Sequence, residues 1–200
     1  MSPSEYSQEH QHFPPDAVTV FDNQGRSLPC FVEHSFQLQG QNYALLVPVD
    51  LPVEIFAWWE EEDGEEREEP VPVDSEDELN LIFPTAKAVL EEENLNLQRT
   101  AVTLTVSGEL PDFDDNQNFG DSNVEENGDG DYEEFHLLAS FYHEEQEYGI
   151  YTPLDPYLIL ARLDKNGKPE LLSDEEIQQL EPLMPTIEAM LEEQLFDDLD

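Results

Sequence analysis

Ser35-Phe36-Gln37-Leu38-Gln39-Gly40-Gln41-Asn42-Tyr43-Ala44-Leu45-Leu46-Val47-Pro48-Val49-Asp50 has a counterpart later in the chain, Ser140-Phe141-Tyr142-His143-Glu144-Glu145-Gln146-Glu147-Tyr148-Gly149-Ile150-Tyr151-Thr152-Pro153-Leu154-Asp155. The Ser-Phe pair, the Tyr and the Pro-x-Asp turn all recur at a displacement of 105, as from Pro48 to Pro153. Chance similarity does not keep order, spacing and turn residues together, so the pattern marks a repeated unit. Downstream, Pro52, Ile55 and Ala57 match Pro156, Ile159 and Ala161 at a displacement of 104. Pro84-Thr85, Ala88 and Leu90-Glu91-Glu92 match Pro185-Thr186, Ala189 and Leu191-Glu192-Glu193 at 101. Small loop deletions in a duplicated domain produce such a drift.

Upstream, Val18-Thr19 matches Val102-Thr103 at only 84, so the second unit holds extra residues before Ser140. These occupy 111–133, and from Pro111 to Asp131 they are rich in Asp, Asn and Gly, the composition of a disordered acidic loop. Each unit then has one order of elements. An opening strand (Ala17 to Phe21; Ala101 to Val106) precedes an alternating strand (Cys30 to Leu38; Phe135 to Tyr142). Short turns at Gln39-Gly40-Gln41 and Glu144-Glu145-Gln146 lead to strands that start at Tyr43 and Tyr148, and such short links imply antiparallel hairpins. A Pro-bounded strand follows (Val53 to Trp59; Tyr157 to Leu163), then a charged turn, a short extended piece and a helix.

Both helices begin with a Ser three residues before a Glu, in Ser75-Glu76-Asp77-Glu78 and Ser173-Asp174-Glu175-Glu176. The Ser oxygen caps a free N–H, the Glu reaches back, and the acids complement the helix dipole. Pro84 and Pro185 predict a kink or restart in each helix. Beyond them, Ala86, Val89 and Leu90, or Ile187, Met190, Leu191 and Leu195, fall at helical spacing and should cover a sheet. The expected fold is α+β: two tandem, diverged copies of a small antiparallel β-sheet domain, each closed by a C-terminal kinked helix. The copies span 16–97 and 98–200, after a disordered N-terminal tail over 1–15. Whether they share one core is left open by the sequence, as is oligomeric state.

The 200 residues carry 49 Asp and Glu against seven Lys and Arg, a formal net charge of −42. High charge with low mean hydropathy suggests disorder, but the apolar and aromatic residues are gathered into strand-like runs, so folded modules with disordered connections are expected. A chain this acidic repels phosphate backbones and anionic membrane surfaces, which disfavours direct nucleic-acid binding. Its natural partner is a basic protein or complex. No apolar run approaches the roughly 20 residues of a membrane span, and Met1 to Pro15 lacks the pattern of a signal peptide, so the cytosol is the expected compartment. The single Cys30 makes no internal disulfide and reads as a buried structural thiol.

Catalytic chemistry finds little support. There is no nucleophile elbow, phosphate-cradling glycine loop or dinucleotide fingerprint, and His34, His136 and His143 share no metal-ligand spacing. With so many acids, adjacent carboxylates carry no information about acid–base work. Catalytic residues and cofactors are therefore both expected to be none. In the insertion, Asp114, Asn116, Asn118 and Glu125 stand at the first, third, fifth and twelfth positions of a hand-type calcium loop. Phe119 occupies the glycine position and no amphipathic helix precedes the loop, so a true site is not expected. These four are nonetheless the residues a cation would use.

For partner binding, the run from Glu60 to Glu69 is an acidic hairpin loop, and Glu60, Glu61, Glu62 and Asp63 lie next to Trp58. Successive strand residues point to opposite faces, so Trp58 and Trp59 do not both belong to a core. Trp58 aligns with Arg162, which puts it on a solvent face as a binding anchor; the other reading buries it between the copies. In the C-terminal run, Leu191 and Leu195 suit packing on the chain's own sheet, while Phe196 and Leu199 are the residues left for a partner groove.

Val18-Thr19-Val20-Phe21-Asp22-Asn23-Gln24-Gly25, then Tyr43-Ala44-Leu45-Leu46-Val47-Pro48, an acidic hairpin and a closing helix resemble the small acidic YrzB-like bacterial proteins of unknown function. The whole chain looks like a longer, two-copy form found in cyanobacteria and plastids, which implies a cytoplasmic or stroma-like setting. The resemblance brings no catalytic or ligand residues with it. The leading expectation is a non-catalytic adaptor or assembly factor that offers an acidic surface to a basic partner. The alternatives are a nucleic-acid mimic that fills the site of a DNA- or RNA-binding protein, and a divalent-cation-binding regulator or unrecognised enzyme.

Overall fold

The computed structural model describes residues 16–58, 70–111, 123–125 and 132–197. The expected disordered tail, most of the insertion and the acidic run from Glu60 lie outside them. Among the described residues twelve strands run in chain order: β1 (Val18–Phe21), β2 (Ser27–Leu38), β3 (Gln41–Pro48), β4 (Leu51–Trp58), β5 (Val71–Pro72), β6 (Leu95–Arg99), β7 (Leu104–Gly108), β8 (Asn123–Glu125), β9 (Tyr132–His143), β10 (Gln146–Pro153), β11 (Ile159–Leu163) and β12 (Pro169–Leu171). Helix α1 (Glu76–Glu92) follows β5, and α2 (Asp174–Leu180), a 3-10 turn (Glu181–Leu183) and α3 (Met184–Asp197) follow β12. Each strand pairing among the described residues is antiparallel.

Neither half of the chain keeps its strands to itself. The first sheet has the order β1-β2-β3-β11-β12, so two strands of the C-terminal half complete a meander of the N-terminal half. In the second sheet the order is β6-β7-β4-β10-β9-β8, and β4 of the N-terminal half sits against β10. The edge of β4 away from β10 takes β7 along Leu51, Pro52 and Val53 and β5 along Phe56 and Ala57. The cores follow the same exchange. Val53, Ile55, Ala57, Ile82, Ala86, Leu90, Leu95 and Leu97 are buried together with Val106, Phe141, Tyr148 and Ile150. Val20, Leu28, Cys30, Ala44 and Leu46 are buried with Ala101, Ile159 and Ala161.

Two bulges let single strands serve two cores. Leu28 and Cys30 of β2 face the interior of the first sheet, but a register shift between Val32 and His34 moves even-numbered residues to the other face. Phe36 therefore lies outside with Leu45 and Leu160, where Ile187 of α3 covers them. A one-residue slip exchanges the faces of everything beyond it. The shift opposite Ile150 and Tyr151 does the same for β9 in the second sheet, where Phe141 lies in the core under α1 while Phe135, also odd-numbered, lies on the opposite face with Phe56 and Tyr151.

The helix starts follow the sequence. Ser75 accepts from the Glu78 N–H, and Ser173 with Glu176 forms a complete capping box. The proline expectation holds only in part. Helix α1 runs unbroken through Pro84, with Ile82, Ala86 and Leu90 buried on one face; packing of that face outweighs the lost backbone bond. The C-terminal helix does restart, but the 3-10 turn contains Pro182, and Pro185 falls in the first turn of α3, where a missing N–H costs little. The expected strand from Ala101 to Val106 begins only at Leu104, as β7, and its hairpin partner β6 was not expected. Leu95 and Leu97 alternate with polar Asn96 and Gln98, a strand signal hidden by its position directly after a helix. The hairpin needs Gly108, which has φ +126°, and any Cβ there would stand 2.3 Å from the Asn94 carbonyl oxygen.

Thr105 lies in the middle of β7, fully buried, and its hydroxyl has no hydrogen-bond partner among the described residues. A buried hydroxyl left unpaired costs about 1–3 kcal/mol. Thr105→Val keeps the shape and removes the polar atom, so it should raise the unfolding free energy by about 1 kcal/mol in urea titrations.

Candidate functional site

Trp58 ends β4 opposite Glu147 of β10. Its ring is half-buried against the Phe56, Phe135 and Tyr151 cluster, and its Nε1 donates to the Tyr151 hydroxyl at 3.1 Å. The Trp58 carbonyl accepts from the Gln146 side chain. The indole is thus held between residues of both halves, which is the second of the two placements the sequence left open. The solvent-face expectation came from aligning Trp58 with Arg162, and the strand register corrects that alignment. Ile150 lies opposite Ile55, while Leu45 lies opposite Leu160. Since Leu45 and Ile150 correspond at 105, Ile55 corresponds to Leu160 and Trp58 to Leu163. Matching through the strand register at 105, rather than along the sequence at 104, shifts Trp58 by one residue, which reverses the face.

Arg162 instead corresponds to Ala57. It binds Glu170 at 2.9 Å and also pairs with Glu176, which lies in the capping box of α2. The backbone bond from Ser173 and the nearby Arg162 hold the Glu176 carboxyl below its ordinary range. Other cations are similarly engaged. Arg26 pairs with Asp22 at 2.6 Å, Lys87 approaches Glu91 at 4.0 Å, Arg99 donates to Asn80 and lies over the Phe83 ring, and Lys168 lies over Phe21. Five of the seven Lys and Arg residues are thus engaged within the chain itself.

Glu60, Glu61, Glu62 and Asp63 lie outside the described residues, as do Asp114, Asn116, Asn118 and Leu199. Glu125 contributes to the backbone of β8 and Phe196 to that of α3. Among the described residues there is no group of three or more His, Cys, Asp or Glu suited to a metal ion, and no helix is long and apolar enough to cross a membrane.

The contact between β10 and α1 has a titratable link. Tyr148 is buried, stacks on Phe141 and donates to Glu78 at 3.0 Å; burial and that carboxylate push its hydroxyl up to about 12. Burial likewise pushes the Cys30 thiol up to about 11. A raised pKa means the folded state keeps its proton longer than the unfolded one, so the linked stability is full below the unfolded pKa and is lost as pH rises. Melting temperature should therefore fall from about pH 9 to pH 12, and Tyr148→Phe should flatten the upper part of that fall. An equally steep fall in the variant would show that Tyr148 is not responsible.

A family described as "Protein of unknown function (DUF3727)" matches residues 94–198, and "Protein of unknown function (DUF1292)" matches residues 23–91. Among curated proteins, the UPF0473 proteins of Streptococcus pneumoniae strains Hungary19A-6 and CGSP14 are each 32% identical over 102 residues, covering 44% of this chain and 98% of theirs. No solved structure matches.

Proposed function

Because the chain belongs to the DUF3727 family of proteins of unknown function, we propose its role from charge and surface: a non-catalytic adaptor or assembly factor that binds a basic protein or complex. The observation that carries this reading is a net charge of −42 in a chain where five of the seven Lys and Arg residues contact its own carboxylates, amide or rings. Such a surface attracts cationic partners over a distance of about one Debye length, roughly 8–10 Å at ordinary ionic strength. Trp58 has a structural part in this reading, holding the two halves together, so the anchors must be sought elsewhere.

The same reading takes the chain as two diverged copies, in the longer form resembling cyanobacterial and plastid proteins, working in the cytosol or a stroma-like compartment. Its support is the correspondence at 105, which carries Phe36, Leu45 and Leu160 onto Phe141, Ile150 and Ile55, each set packed beneath a helix. The test is affinity purification of the tagged protein from its own cell extract at low and high salt. Partners released by salt and rich in Lys and Arg are expected; recovery of no salt-sensitive partner would sink the proposal. Displacement of the partner by free DNA would replace it with nucleic-acid mimicry.

A further inference from the structure

Between β11, α2 and the 3-10 turn lies an open cleft of about 550 Å³. Its lining is apolar apart from Glu181 and the Tyr157 hydroxyl, and four of its side chains are largely uncovered: Leu158 is 50% exposed, Ile177 48%, Val102 41% and Met184 41%. That many large apolar groups in one concavity is unusual for a scattered surface. The other half of the chain shows what such a place holds when filled. Through the strand register, Leu158 corresponds to Val53, which is only 1% exposed. By the helix displacement of 101, Leu180 and Met184 correspond to Leu79 and Phe83. There, Leu95 and Leu97 of β6 and Val106 of β7 share one core with Val53, and Leu79 and Phe83 pack against it. An extended hairpin with alternating apolar residues closes the place in one half, and among the described residues nothing equivalent closes it in the other.

We infer that this cleft is the docking site for an extended, basic segment of a partner protein, one whose alternating apolar side chains enter as Leu95 and Leu97 do in the other half, with Lys or Arg between them. The charge chooses the occupant. Among the described residues Glu181 is the only charged one in the lining, and no Lys or Arg follows Lys168 in the sequence. A second copy would bring −42 of its own against these acids. The inference rests on the acidic-adaptor reading above and gives it a place and a side-chain pattern.

The probe is a labelled synthetic peptide of about ten residues alternating Leu and Lys, with a second of equal composition whose leucines are contiguous. Binding to the full chain and to Leu158→Glu/Ile177→Glu is read by fluorescence anisotropy at low salt. The variant is more acidic, so charge alone would tighten its binding. A loss of about tenfold or more for the alternating peptide, and a similar preference for it over the contiguous one, is expected. Equal binding to both proteins would overturn the cleft while leaving the acidic reading in place; no binding of either peptide to either protein would overturn both. Binding to a chain lacking residues 1–15 that is tenfold tighter would show that the chain's own tail fills the cleft, and a dimer that Ile177→Glu disperses would show a second copy there. Should the double variant lose its cooperative melt, Ile177→Glu alone, at an exposed helix position, replaces it.

Discussion

Made separately, residues 1–97 and 98–200 are expected to show no cooperative thermal transition as monomers, and to recover native circular dichroism as a one-to-one complex when mixed. The reason lies in the exchange of strands. Without the C-terminal half, β3 loses β11, β4 loses β10 from one edge and β7 from the other, and β6 loses β7, leaving several rows of backbone groups unpaired. The core under α1 loses Val106, Phe141, Tyr148 and Ile150, each fully or nearly fully buried. At about 1.5–3 kcal/mol per side chain, that is roughly 6–12 kcal/mol, comparable with the whole stability of an ordinary domain. The C-terminal half fares no better, since Ile159 and Ala161 lose Val20, Leu28, Cys30, Ala44 and Leu46. A monomeric 1–97 fragment that melts cooperatively within a few degrees of the full chain would overturn the prediction. A folded dimer of that fragment would not, because Ile55 stands where Leu160 stands in the other sheet and a second copy of β4 can take the place of β11.

Most of this architecture was legible in the chain, because its signals are local. Ser173 and Glu176 cap a helix through bonds spanning three residues, and the hairpin at Gln39-Gly40 closes through adjacent left-handed positions, φ 52° and 82°. What was not legible depends on partners far away in sequence. Alternation assigns Ile55 and Trp58 to opposite faces but does not say which strand lies alongside, and the pairing of β4 with β10 spans about half the chain. The site suffered from the same gap. Trp58 was placed by an alignment with one residue too few, an error invisible without cross-strand register and large in effect because the side-chain period of a strand is two. The open cleft beside β11 was invisible for another reason: Leu158, Ile177 and Met184 read as ordinary helix and strand apolar residues, and only their exposure distinguishes them from Val53 and its neighbours.

Phe56→Ala should be the most damaging single substitution on the face of β4 that carries Trp58. Phe56 is 2% exposed and touches Phe135 and Tyr151 edge-on, with centroids 5.3 and 5.4 Å away. Removing a buried phenyl ring costs about 3–5 kcal/mol, set by how far the surroundings collapse into the space. Collapse is hindered here. Tyr151 already lies over Gly149, where an added Cβ would come within 2.4 Å of its ring, so the ring has no room on that side. Its hydroxyl is also fixed by the Trp58 indole. The cavity should therefore persist and the loss fall toward the upper end of that range, lowering the melting temperature by about 10 °C or more in a chain of this size. Gly149→Ala attacks the same cluster from below and should also destabilise, by pushing Tyr151 away from Trp58; in a Trp59→Phe background, the emission of Trp58 should shift to the red. If Phe56→Ala loses less than about 1 kcal/mol in urea, the two halves are not joined through this cluster, and the remaining strand pairing between β4 and β10 must carry the connection.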